Sequence, residues 1–126
     1  MATYIYIDNY RGFSKTWIPL RQVSFLVGEN STGKTSVLEL LEMFCHTRFW
    51  VFDPQFGVPG SHPRHFHDLV STSSKSKRHF TIGALSVPIG DDEPCSGMLI
   101  TYQNSDGRAV PKRVSIVDGE TVRTVE

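Results

Sequence analysis

The stretch "VSFLVGENSTGKTSVLELLEMF", residues 23–44, decides how this chain reads. It begins as a short, nearly continuous apolar run from Val23 to Val27, the pattern of a strand covered on both faces in a mainly parallel sheet. It ends as an amphipathic helix, because Val37, Leu38, Leu40, Leu41, Phe44 and Cys45 recur at intervals of three and four, predicting a helix from Lys34 to about Phe49. Between them lies the polar turn Gly28-Glu29-Asn30-Ser31-Thr32-Gly33, followed by Lys34 and Thr35. The turn fits Gly-x-x-x-x-Gly-Lys-Ser/Thr and stands where that pattern has meaning, after a strand and at a helix start. With glycine at about 7% of residues, the four fixed positions coincide by chance in well under about 1% of chains of this length.

Each residue type in the turn has a physical reason to be there. Gly28 and Gly33 let the main chain close around an anion, and the N–H groups of Ser31, Thr32, Gly33, Lys34, Thr35 and Ser36 are donors turned toward it. The helix start adds about half a positive charge. Lys34 supplies a full charge for the β- and γ-phosphate oxygens and is the candidate catalytic residue; the Thr35 hydroxyl is the expected protein ligand to Mg²⁺. A nucleoside triphosphate with Mg²⁺ is the implied ligand. No Asn-Lys-x-Asp run is present, so the base is not legible.

Outward from this motif, 126 residues with 39% hydrophobic content suit one domain. "TYIYID" (3–8) reads as a first strand closed by the turn-like "NYRG", with a second strand near 15–20. Residues 1–52 form a strand-loop-helix core on this reading. "DPQFGVPGSHPR" (53–64), with three prolines and two glycines, is irregular, and a short helix follows around "RHFHDLV". "HFTIGALSV" (79–87) and "MLITYQ" (98–103) are strand-shaped, and Asp-Gly turns in "SDGR" and "VDGE" mark hairpins in an antiparallel β-rich lobe over 79–126. Val114 and Ile116 before Asp118-Gly119, with Val122 after it, alternate as a half-buried hairpin does. The fold class is therefore α/β: a mixed sheet, one long helix after the phosphate loop, and an antiparallel second half.

Thirteen basic residues balance thirteen acidic ones, so overall charge draws the chain neither to nucleic acid nor to anionic lipid. Cys45 and Cys95 stand far apart without finger spacing, which fits a reducing, cytosolic setting. No apolar run approaches the roughly 18 residues of a membrane helix, and the N-terminus lacks the basic and apolar regions of a signal peptide.

"IYIDNYRGF", a gap of about ten residues and then "VSFLVGENSTGKTSVLELLEMF" resembles the N-terminal end of ABC-type ATPase heads of the SMC and RecF branch, including the overcoming-lysogenization-defect (OLD) nucleases and related AAA-labelled ATPases of phage defence. Asn9-Tyr10-Arg11 matches the branch's Asn-Phe-Arg segment, and Gly28-Glu29-Asn30 the opening of its phosphate loop; Ser31 replaces a frequent Gly, as in the OLD-like subset. The resemblance implies ATP as the nucleotide, hydrolysis in a complete head, and a role in DNA repair or anti-phage defence. It also implies that Arg11 reaches the phosphates and Asn30 faces the γ-phosphate. Tyr10 is a stacking surface for adenine by analogy alone. Implied partners are a second ATPase head or a missing C-terminal half, with DNA and an effector nuclease beyond them, and no membrane.

The acidic strand end, the following Glu and the Ser-Gly-Gly signature of such heads are not found, so the chain reads as an N-terminal lobe, inactive alone. "SIVDGE" (115–120) places Asp118 and Glu120 after an apolar strand, yet its Asp-Gly pair fits a hairpin better. His62, His65, His67 and His79 read as loop histidines rather than metal ligands, and the cluster Lys75, Lys77, Arg78 and the cluster Arg108, Lys112, Arg113 as solvated faces. A transporter-type nucleotide-binding subunit, a small nucleotide kinase and a nucleotide-gated interaction module without turnover are the alternatives.

Overall fold

The computed structural model describes residues 2–21, 33–45, 65–71, 78–90 and 94–126. The strand expected over 23–27, phosphate-loop residues 28–32 and the irregular stretch 53–64 lie outside the described residues.

Among the described residues six strands form one sheet. They are β1 (Ala2–Asp8), β2 (Thr16–Leu20), β3 (His79–Val87), β4 (Ser96–Ser105), β5 (Arg108–Asp118) and β6 (Thr121–Val125), in the spatial order β2-β1-β3-β4-β5-β6. Every described pair is antiparallel, and the expectation of a mixed sheet rests on residues 23–27, which lie outside the described residues. β1 pairs with β3 from Ala2↔Val87 to Asp8↔Thr81, so strands from the first 20 residues and from the C-terminal half share one ladder. Among the described residues two helices join the sheet, α1 (Lys34–Cys45) and the single turn α2 (Phe66–Leu69).

The turn chemistry sets the hairpins. Asp106 (φ 51°) and Gly107 (φ 83°) are both left-handed, as a type I′ turn between β4 and β5 requires, and the Gly107 N–H donates to Asn104 Oδ1 at 2.8 Å. The second hairpin departs from the sequence reading by one position. Asp118 is still paired with Thr121, so the two-residue loop is Gly119-Glu120, and only Gly119 (φ 63°) has a positive φ, the type II′ pattern.

Alternation along the strands sends Ile5, Ile7, Phe80, Ile82, Ile100 and Tyr102 to one face, where they are buried with Val37, Leu40 and Met43 of α1 and with Phe66, Leu69 and Val70. Phe80 is the hub, its ring 5.2 Å from Tyr10, 5.5 Å from Phe66 and 5.3 Å from Tyr102. The buried stripe of α1 is shifted from the expected one: Met43 belongs to it, whereas Leu38 (55% exposed) and Cys45 face solvent. A stripe of period 3.6 seats 36, 37, 40 and 43 together and leaves 38 on the far side.

On the opposite face, two glycines allow close packing between β3 and β4. Gly83 pairs with Leu99 and Gly97 with Leu85; a Cβ at Gly83 would lie 2.1 Å from the Met98 carbonyl oxygen, and one at Gly97 2.4 Å from that of Ala84. The expectation of a half-buried second hairpin holds for Val114, which packs against the core, and is corrected for the rest: all five residues of β6 are exposed, Val122 to 62%, and Ile116 on β5 is exposed as well. Alternation assigns residues to faces, but these faces extend past the edge of the core.

Candidate functional site

α1 opens on Gly33, Lys34 and Thr35. Gly33 has φ 92°, and a Cβ there would come 2.8 Å from Phe13 Cζ, so a larger residue meets both backbone strain and the Phe13 ring. Helix bonding begins at once, with Val37 N–H donating to the Gly33 carbonyl at 3.1 Å. Lys34 is half-buried, Thr35 exposed and Ser36 buried (4% exposed). The first turn carries no acidic side chain. A helix start whose first turn holds a lysine and an accessible hydroxyl without a carboxylate suits a polyphosphate and a Mg²⁺ held by Thr35. Gly28, Asn30, Ser31 and Thr32 lie outside the described residues.

Beside this helix start sits the β1–β2 connection. Asn9 (φ 58°), Arg11 (φ 45°) and Gly12 (φ 91°) are left-handed within four residues, which folds the chain back sharply. The bend is fastened to the segment after α2: Arg11 N–H donates to the Leu69 carbonyl at 2.7 Å, Ser71 N–H to that of Asn9 at 3.1 Å, and Gly12 N–H to Ser71 Oγ at 2.9 Å. Asn9 Nδ2 ties it to β3 through the His79 carbonyl at 2.7 Å. From this platform Arg11 Nη1 donates to Glu39 Oε2 of α1 at 2.9 Å, forming an ion pair with the two side chains 24% and 10% exposed.

The structure thus brings Arg11 to the flank of α1, the helix that begins with Lys34 and Thr35. Glu39, Phe13 and Ser71 complete this contact and were not singled out from sequence. Glu39 alone left a signal, a carboxylate within a helical stretch that is otherwise mostly apolar. Tyr10 cannot serve as a stacking surface for a base, because its ring is 1% exposed and packs on Phe80.

A cleft of about 530 Å³ opens on the other side of the same turn, between Gly12, Phe13 and Ser71 and a polar row that crosses the sheet. Asp8, Thr81, Thr101 and Arg113 are successive cross-strand neighbours, with Thr81 and Thr101 joined through their hydroxyls at 2.8 Å. A bulge opposite the Thr101/Tyr102 step makes Lys112 the extra residue and sets it beside Arg113 at the cleft. Arg113 pairs with Glu126.

His62 lies outside the described residues. His65 and His67 stack at 5.6 Å, His79 is in β3, and among the described residues no three His, Cys, Asp or Glu side chains gather as a metal site. Asp118 ends β5 and Glu120 sits in the exposed turn after it, the hairpin arrangement that the sequence favours. Lys75 and Lys77 lie outside the described residues. Among those residues no helix is long and apolar enough to cross a membrane.

These features define a mixed α/β domain, dominated by antiparallel sheet and compatible with an ATPase domain. A family model described as AAA ATPase domain matches residues 1–91, more than two thirds of the chain, and the chain belongs to that family. Membership implies ATP binding and, as is usual for such domains, use of Mg²⁺. No curated protein and no solved structure matches the chain.

Proposed function

We propose that the chain is the Mg·ATP-binding N-terminal lobe of an SMC/RecF/OLD-like ATPase that acts in DNA repair or in defence against phage. The observation that carries this reading is the Gly33-Lys34-Thr35 start of α1 inside the segment matched by the ATPase family. Lys34 neutralises the β- and γ-phosphates, the Thr35 hydroxyl ligates Mg²⁺, and the amides from Ser31 to Ser36 cradle the tail, with Gly28 and Asn30 completing the loop. Arg11 adds a second cation from the β1–β2 turn.

Hydrolysis needs groups that this segment does not supply: an acid that holds the metal through water, a carboxylate that polarises the attacking water, and a signature loop from a second head. A phosphate cradle without them leaves most of the barrier standing. The proposed partners are accordingly a second head or a C-terminal half, with DNA and an effector nuclease downstream.

Calorimetric titration with Mg·ATP tests the reading. The wild type is expected to bind, and Lys34→Ala to lose about ten- to a hundredfold in affinity, the worth of one charge-assisted contact. Equal heats from the two proteins would refute it. Turnover assayed with and without the partner half then separates an ATPase lobe from a nucleotide-gated interaction module.

A further inference from the structure

Two contacts lock the β1–β2 turn against α1. The Phe13 ring rests on Gly33, and Arg11 reaches Glu39. Glu39 stands four residues after Thr35, so the two share one helix face about 6 Å apart at Cβ. Helical side chains lean toward the N-terminus, which carries the Glu39 carboxylate, and Arg11 with it, back toward Thr35. The Arg11 backbone is held at φ 45°, a region non-glycine residues rarely adopt, by its N–H bond to the Leu69 carbonyl. Three separate elements therefore converge to fix one guanidinium.

We propose that Glu39 is a positioning residue for nucleotide binding: it holds the Arg11 guanidinium against α1, on the side of Thr35, where Arg11 meets the polyphosphate tail. The inference rests on the Mg·ATP reading above. The ion pair uses one nitrogen of a group with five donors, so Arg11 retains donors for an anion while Glu39 sets its direction. The opposite possibility is that Glu39 merely neutralises Arg11, and it carries the opposite sign, because removing a screening carboxylate strengthens the binding of a polyphosphate.

The test is a titration with Mg·ATP of the wild type, Lys34→Ala, Glu39→Gln, Arg11→Ala and the double variant Arg11→Ala/Glu39→Gln. Glu39→Gln is expected to weaken binding about tenfold, and to add less than about twofold once Arg11 is alanine. A purely structural role gives the same loss in both backgrounds. That outcome, or a Glu39→Gln protein that binds as the wild type does or more tightly, overturns the proposal. Should Glu39→Gln fail to fold, Glu39→Asp keeps the charge on a shorter stem; its loss is expected to be smaller, present with Arg11 and absent without it, and a loss independent of Arg11 overturns the proposal equally. A wild type no better than Lys34→Ala removes the ATP reading and this inference with it. A wild type that binds through Lys34 but ignores Glu39 removes only the inference.

Discussion

Among single residues, Gly33 meets two independent demands. Its φ of 92° suits glycine, and the space a side chain needs is taken by Phe13. Gly33→Ala is expected to destabilise the protein by about 1–3 kcal/mol, the usual cost of local backbone strain, read from a urea midpoint. Tyr6 offers a pH handle: its ring tilts on Trp17 at 4.6 Å, and burial, followed by the Asp8 carboxylate, pushes the phenol above its ordinary value of 10.0. A raised folded value favours the neutral phenol. The associated stability is fully present below the unfolded value near 10 and declines as pH rises through the folded one. Between about pH 9 and 11 the wild type is therefore expected to lose more stability than Tyr6→Phe; parallel urea midpoints across that range would count against this. The helix start at Lys34 and Thr35 was legible because the glycine-bracketed pattern before it is local in sequence. Glu39 and Phe13 were not, since their partners Arg11 and Gly33 become neighbours only when the turn closes on α1.

At the scale of elements, period and turn residues carried the strands. The run 79–87 is β3 at both bounds, because β-branched and aromatic residues end there at polar or proline neighbours, and Asp106-Gly107 is the turn its residue types require. What the period could not supply was depth, as β6 illustrates: alternation sorts Val122 and Val125 onto faces without saying whether anything covers them. In α1, Leu40→Ala is expected to cost about 2–5 kcal/mol and Leu38→Ala under about 0.5, because the first is fully buried and the second largely exposed. Calorimetric melting of the two variants checks the difference. On the sheet, Gly83→Ala is expected to destabilise by about 1–3 kcal/mol or more, since its Cβ would meet a backbone oxygen that cannot swing aside, while Gly90→Ala, with nothing within 4 Å, stays within about 0.5. Equal melting temperatures for these two variants would show that β3 and β4 separate freely.

For the molecule as a whole, the sheet order was the least legible feature. β1 closes onto β3 across more than 70 positions of sequence, and no local pattern encodes a partner at that distance. The same closure places Asn9 against the His79 carbonyl and so frames the turn that presents Arg11. On the proposed reading, steady-state assays of the chain are expected to show ATP turnover no higher than that of Lys34→Ala; clear turnover would mean that the water-polarising group lies within these 126 residues.

Among the described residues, the two rims of the sheet are unequally guarded. β2 carries Pro19, which has no amide hydrogen to offer a newcomer, whereas β6 presents Val122 and Val125 to water with no proline to interrupt them. Crowded preparations should consequently begin to stick together along the C-terminal rim, and a charged replacement at Val122 is the simplest way to keep concentrated samples clear.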